Sequence, residues 1–360
     1  MFLGAFRGRA GQMDRSTGGT FPIDGDQGPA EHVGRMKSQS NRRQFLTQSV
    51  LASAGLAASA AEPSAPLQKT AGAQTLVAPG SRGQLPTGKI GKLTISRLIS
   101  GGNLISGWAH SRDLQYVPSL MRHYNTEEKV MDTLQLLEEH GVNTLIADPA
   151  KNVMQVLGRY WKERGGKIQW IAEGHPEVGD WKTNMKQSID FGAAAVYVQG
   201  VRSDRFYKDG KLDLLGKCVD LVKSQGVPAG IGAHKLEVVI ESEKNNYGAE
   251  FYVKTHHHTN YWSTRRPDQT LDVVENPADN YWDMDPKRTA AFMQEVQKPW
   301  IAFKVLAAGA IRPESGFRFA LENGADFICV GMFDFQVEAN VALVQKLLPQ
   351  VQNRDRGWMA

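Results

Sequence analysis

From residue 88 onward, short apolar runs alternate with longer stretches whose apolar residues recur at helical spacing. The apolar runs predict strands at Arg97 to Ser100, Thr144 to Ala147, Ile168 to Ala172, Ala194 to Val198, Ala229 to Gly232, Glu250 to Thr255, Trp300 to Leu306 and Asp326 to Gly331. Between them, helices are predicted at Lys151 to Glu163, Asp180 to Phe191, Leu212 to Ser224, Lys235 to Asn245, Pro286 to Val296, Pro313 to Glu322 and Phe335 to Leu347. An earlier helix starts at the cap residue Thr126, carries Val130, Leu134 and Leu137 on one face and ends at Gly141. The segment GKIGKLTISRLISGG, from Gly88 to Gly102, reads as a short hairpin running into the first strand. Eight strand and helix cycles within about 270 residues predict an α/β fold, a (β/α)8 TIM barrel spanning residues 86–360 with its site at the carboxyl ends of the strands. A doubly wound open sheet is the alternative that the same alternation permits.

The N-terminal part has a different texture. Asn41 to Leu46 reads NRRQFL, an apolar run follows from Ser49 to Ala58, and Ala58, Ser59 and Ala60 form a small-residue cleavage site. Charge, hydrophobic stretch and cleavage site in that order resemble a twin-arginine signal peptide, placed at residues 36–60, and imply export to the periplasm through the twin-arginine machinery. The apolar run is too short and too weakly apolar to be a permanent membrane span. Residues 1–35 are Gly-rich and aperiodic, and Met36 stands where such a signal normally begins; residues 61–85, rich in Ala, Pro, Gly and Ser, read as a disordered linker.

Composition changes this picture little. With 41% hydrophobic residues and a formal charge of +4 over 360 residues, the chain suits a soluble enzyme with a sizeable core. The basic excess lies partly in the N-terminal segment, and no basic stripe interleaved with aromatics follows, so no nucleic-acid partner is expected. Two cysteines, Cys218 in a predicted helix and Cys329 in a predicted strand, exclude a disulfide-built scaffold and read as buried thiols.

The chemistry gathers at strand ends. AEFYVKTHHHTNYW, from Ala249 to Trp262, delivers His256, His257 and His258 where a strand gives way to a loop; PAGIGAH delivers His234, and IQWIAEGH delivers Glu173 and His175. Imidazoles with carboxylates form the mixed ligand set of a divalent ion of zinc or manganese type, for which His234, His256 and Glu173 are the preferred ligands and His258, His175 and Asp148 the substitutes. Lys254 and Lys304 lie inside apolar strands and are expected to face the polar mouth, either bridging to Asp148 or Glu173 or acting as a base or Schiff-base nucleophile. Long loops after the first and sixth strands carry Trp108, Tyr116, Tyr124, Tyr261, Trp262, Tyr281 and Trp282, as packing anchors or as a platform for a sugar ring. Arg202, Arg205, Arg265, Arg266 and Arg312 follow strands and could meet anionic substrate groups.

In this setting the chain resembles the aldo/keto reductase family. GKIGKLTISRLISGGN is similar to that family's opening hairpin and first strand, LLEEHGVNTLIAD to its first helix and second strand, and VGMFDFQVEANV to its last strand and cofactor-side helix. The resemblance implies NADP binding around Gly331, Glu338 and Asn340. Of the family's catalytic groups, Asp148 matches, whereas Val153 stands in place of Tyr, Glu173 in place of Lys and Gln199-Gly200 in place of His. The expectation is therefore metal-assisted lyase, isomerase or hydrolase chemistry on a small polar, sugar-like substrate, with Asp148, Lys304 or Lys254 moving protons. The alternatives are a divergent NADP-dependent oxidoreductase and a non-catalytic ligand-binding barrel.

Overall fold

The computed structural model describes residues 76–111, 114–276 and 282–360. The signal segment at 36–60, the residues before it and Tyr281 lie outside the described residues. No helix among the described residues is long and apolar enough to cross a membrane.

A two-stranded antiparallel hairpin, β1 (Thr87–Ile90) and β2 (Leu93–Ser96), leads directly into the first barrel strand, β3 (Leu98–Gly101). Seven more parallel strands follow: β4 (Thr144–Ala147), β5 (Gln169–Gly174), β6 (Ala195–Val198), β7 (Ala229–Ala233), β8 (Phe251–Thr255), β9 (Trp300–Phe303) and β10 (Phe327–Gly331). They close in sequence order, β10 pairing with β3, so the structure is the (β/α)8 barrel that the alternation predicts rather than an open sheet.

Side chains alternate across each strand, and closure gives the two faces different neighbours. Inside, Ile99, Ile146, Ile171, Tyr197, Phe251, Val253, Ile301 and Phe327 pack together, and Ile90 and Ile95 of the hairpin join them, closing the amino-terminal end. Outside, Leu145, Trp170, Val196, Ile231, Tyr252 and Trp300 pack beneath the helices in the larger core. The helix Glu127–Glu139 is capped by Thr126, whose side chain accepts from the Lys129 amide, and Gly141 beyond its end takes a φ of 83°.

Two differences from the sequence reading concern boundaries. The folded domain begins before Pro86: the Val77, Gly80 and Arg82 amides donate to the carbonyls of Arg164, Glu138 and Glu139, and Leu85 is buried. Beyond β6, the polar stretch Gly200–Lys208 forms a helix where no helix was predicted. Its Gly200, Ser203, Asp204 and Phe206 are buried, so polar side chains there serve an interior contact rather than a solvated loop.

The amino-terminal end is locked by one carboxylate. Asp326, fully buried, accepts from Arg354 and the Met359 amide on one oxygen and from Arg356 and the Trp300 amide on the other. Arg97 adds bonds to the Asp326 and Ala360 carbonyls and lies over Trp358, so the last residues of the chain are pinned beneath the barrel. Removing one partner from such a buried ionic cluster leaves the others uncompensated. Asp326→Asn is therefore expected to lower unfolding free energy by about 3–5 kcal/mol in urea titrations. Lys186→Ala, which removes an exposed pair with Asp190, is expected to leave the midpoint unchanged, and equal midpoints for all three proteins would refute the lock.

Candidate active site at the barrel mouth

The inward positions at the carboxyl ends of the strands carry a connected polar cluster. Glu173 follows Ile171 with the same parity, faces inward and is the cross-strand partner of Tyr197. Its carboxyl is raised to about 7, first because it is desolvated and second because Asp148 stands nearby; Gln199, Lys304 and Tyr197 act in the opposite sense. Gln199 Nε2 donates to Glu173 Oε2 at 3.4 Å. The next residue, Gly200, starts the helix Gly200–Lys208 and lies under the ring of His234, where an added Cβ would come within 3.0 Å of Nδ1 and Cε1. Glycine at this position is thus what lets the imidazole settle against the end of β6.

His234 is held by Asp204. The imidazole Nδ1 lies 2.7 Å from Asp204 Oδ2, and the same carboxylate accepts the His234 and Lys235 amides. Both side chains are buried, and His234 Nε2 is buried without a hydrogen-bond partner. Nδ1–H donation to the carboxylate fixes the tautomer that leaves Nε2 with its lone pair. Burial, assisted by the Lys304 and Lys254 charges, outweighs Asp204 and pulls the imidazole pKa below its usual value, so the ring is neutral near pH 7.

Lys304 was expected inside a strand running to Leu306, but β9 ends at Phe303. Lys304 itself adopts a φ of 57°, a left-handed conformation costly for a residue with a Cβ. Regular alternation after the inward Phe303 would aim it outward; the left-handed turn redirects it instead. Its Nζ lies 3.2 Å from His110 Nε2 in the loop after β3, and its charge is felt by His110, His234 and Glu173. His110 is held well below the usual imidazole range by burial and by Lys304, so it accepts from the ammonium group. Asp148, at the end of β4, acts on both Glu173 and His175. The cluster therefore joins Asp148, Glu173, His175, His234, Asp204, Lys304 and His110.

The other predicted residues are elsewhere. Lys254 was expected to face the mouth; instead it shares the outer parity of Tyr252, is fully buried, and donates to the Thr255 carbonyl at 2.7 Å with Asp283 at 3.7 Å. His256 also leaves the barrel interior: it packs on Trp300 and Phe319, and its Nδ1 lies 3.0 Å from Asp283 Oδ2. His258 uses both nitrogens, on Ser315 Oγ and the Asn260 amide. His234 and Glu173 thus face the mouth while His256 and His258 lie against the helix Pro313–Glu322, and the proposed ligand set is not assembled. Among the described residues no group of three or more His, Cys, Asp or Glu side chains is placed to hold a metal ion.

At the cofactor corner, Gly331 is exposed at the end of β10, Glu338 is exposed and Asn340 is buried. Two residues apart on a helix, Glu338 and Asn340 point about 200° apart and cannot meet one ligand. The N-terminus of the helix Asp334–Leu347 already carries the Asp334 carboxylate, which takes hydrogen bonds from Tyr124 and Lys129 and would repel a phosphate. These residues do not form an NADP cradle. Of the loop aromatics, Trp108, Tyr116 and Trp262 are exposed, Trp282 is buried, and Tyr124 meets Phe333 and Phe335 edge-on.

Fold and cluster together define a (β/α)8 barrel with titratable groups gathered at its carboxyl-terminal mouth. No protein-family model matches the chain, and no curated protein matches its sequence. Among solved structures, a Pseudomonas aeruginosa protein named for the aldo-keto reductases matches at 15% identity, over 73% of this chain and 95% of its own, with a TM-score of 0.47. A truncated 3-deoxy-D-arabino-heptulosonate 7-phosphate synthase from Thermotoga maritima matches at 15% identity, over 76% of this chain and 95% of its own, with a TM-score of 0.46. Similarity at this level assigns no chemistry.

The raised Glu173 carboxyl gives a signed stability effect. Between the ordinary Glu value and about 7, the folded state binds a proton that the unfolded state has released, so stability falls as pH rises through this window and stays reduced above it. Glu173→Gln removes the ionisation; it is expected to exceed the parent in stability at pH 8 by up to about 3 kcal/mol and to match it near pH 4.5. Urea titrations at the two pH values check this, and a pH-independent difference would refute it.

Proposed function

We propose that this chain is a proton-transfer enzyme, an isomerase or lyase, acting on a small polar carbonyl compound of sugar type at the barrel mouth. The observation that carries the reading is Lys304: one ammonium group, aimed by a strained backbone, whose field reaches a neutral imidazole and a carboxyl poised to stay protonated. Neighbouring groups with pKa values pushed in opposite directions are the usual basis of acid and base assignments.

In this reading His234 Nε2 removes the proton from the carbon beside the carbonyl, and Asp204 stabilises the imidazolium that forms. Glu173 delivers its proton to the carbonyl oxygen, so an enediol results and both protons are accounted for. Lys304 supports the oxygen as negative charge develops on it. Returning the proton to the adjacent carbon, while Glu173 recovers a proton from the other enediol hydroxyl, completes an isomerisation; if instead a β-substituent departs with the proton held by His234 and Glu173 recovers its own from the enol oxygen, the result is a lyase. The twin-arginine-like NRRQFL segment supports a location outside the cytoplasm for the folded domain.

The test is hydrogen exchange in deuterium oxide, followed by proton NMR across a panel of aldoses, ketoses and their acids. Loss of the signal beside the carbonyl is expected for at least one compound, with His234→Ala slower by about 100-fold or more and Glu173→Gln slowed despite its greater stability at pH 8. Exchange with no member of the panel, or parent rates in both variants, would dispose of the reading.

A further inference from the structure

The long loop after β8 contains a guanidinium that the acid–base cluster does not use. Arg265 Nη1 meets the Met284 sulfur at 3.2 Å and Nη2 the Leu271 carbonyl at 3.3 Å, while Nε is buried without a partner. A thioether and a carbonyl are weak partners for a full positive charge, and no carboxylate among the described residues forms an ion pair with it. Arg266, by contrast, closes a two-pronged exposed pair on Asp268.

Arg265 borders two clefts. One, of about 300 Å³, also contains Lys235, Asp272 and Glu275. Its acids are engaged, Asp272 by Lys235 at 2.5 Å and Glu275 by Lys208. The other, of about 410 Å³, presents Thr259, Thr264, Arg266 and Trp282 beside Arg265, with Asp283 at its edge. The Asp283 carboxylate already takes Thr289 and His256 and lies near Lys254, so its charge is offset within its own cluster. Thr259, Thr264 and the Arg265 guanidinium therefore remain as polar lining of this second cleft without a charge partner, the Arg266 guanidinium being taken by Asp268. The Lys235–Asp272 bond in the first cleft ties the loop to the residue following His234.

We infer that Arg265, with Thr259 and Thr264, forms a subsite for a compact oxyanion, a phosphate or carboxylate group carried by the substrate. The subsite rests on the reading of the mouth as an active site and adds the charge class of the molecule that enters it. A planar fork with five donors suits such oxygens.

Calorimetric titration of the purified protein with inorganic phosphate and, separately, with acetate distinguishes the two anion types. Saturable binding of at least one is expected, weakened by about tenfold or more in Arg265→Gln and unchanged in Arg318→Gln, whose guanidinium serves Glu322 and Gln350 on a different face. Should Arg265→Gln fail to fold, Arg265→Lys keeps the charge without the fork and is expected to weaken binding severalfold. Absence of saturable binding by either anion, or equal affinity in the parent and the Arg265 variants, would overturn the subsite. Anion binding that depends on Arg265 without any isotope exchange would leave the subsite standing and remove the proposed reaction; exchange without such binding would do the reverse.

Discussion

A closed barrel of eight strands has one interior, and each strand residue must face either that interior or the helices around it. Because alternation is fixed at two residues, a shift of one position moves a side chain from the mouth to the outer layer. Glu173 and Tyr197 share the inner parity and meet across β5 and β6. Lys254 follows the inward Val253 and is carried outside. Similar sequence settings, an ionisable residue at the end of an apolar strand, thus lead to opposite environments.

The outer group has its own physical logic. Lys254, His256, His257 and Thr289 surround Asp283, whose carboxylate is held below its usual value chiefly by Lys254 and the adjacent imidazoles, against the desolvation that would raise it. Asp283 stands near the end of the long loop after β8, so the cluster fastens the far end of that loop to the strand from which it departs. His256 and His257 of the triple histidine are part of this brace. Its ionic contact, Lys254 to Asp283 at 3.7 Å, is dry, so that removing either partner leaves a buried charge uncompensated.

At the mouth, the same low dielectric acts toward a different end. The Glu173 carboxyl is raised to about 7, His234 is kept neutral, and Lys304 is held in a backbone conformation that its side chain disfavours. The desolvated Glu173 carboxyl and the Lys304 backbone cost stability near neutral pH, and rigid surroundings maintain all three features: paired strands beneath Glu173, burial around a His234 ring oriented by Asp204, and the packed turn after β9. At the mouth, backbone strain and perturbed protonation fall on neighbouring groups, the combination that sites of chemistry share.

Much of the architecture was legible in the sequence because it depends on local periodicity. Strand positions came from apolar runs, helix positions from spacing, and the start of Glu127–Glu139 from Thr126, all of which act within a few residues. Glu173 and Asp148 were recognisable as strand-end acids for the same reason. Tertiary structure alone decided which ionisable groups meet. Asp204 was not singled out by the sequence and reaches His234 only because the helix Gly200–Lys208 places it there, and His110 became a neighbour of Lys304 only through a loop 194 residues away in the chain. It also separated His256 from His234, since closure and register set the direction of each imidazole. Periodicity is a property of neighbours along the chain, whereas convergence is a property of the closed surface, and that surface exists only once all eight strands have paired.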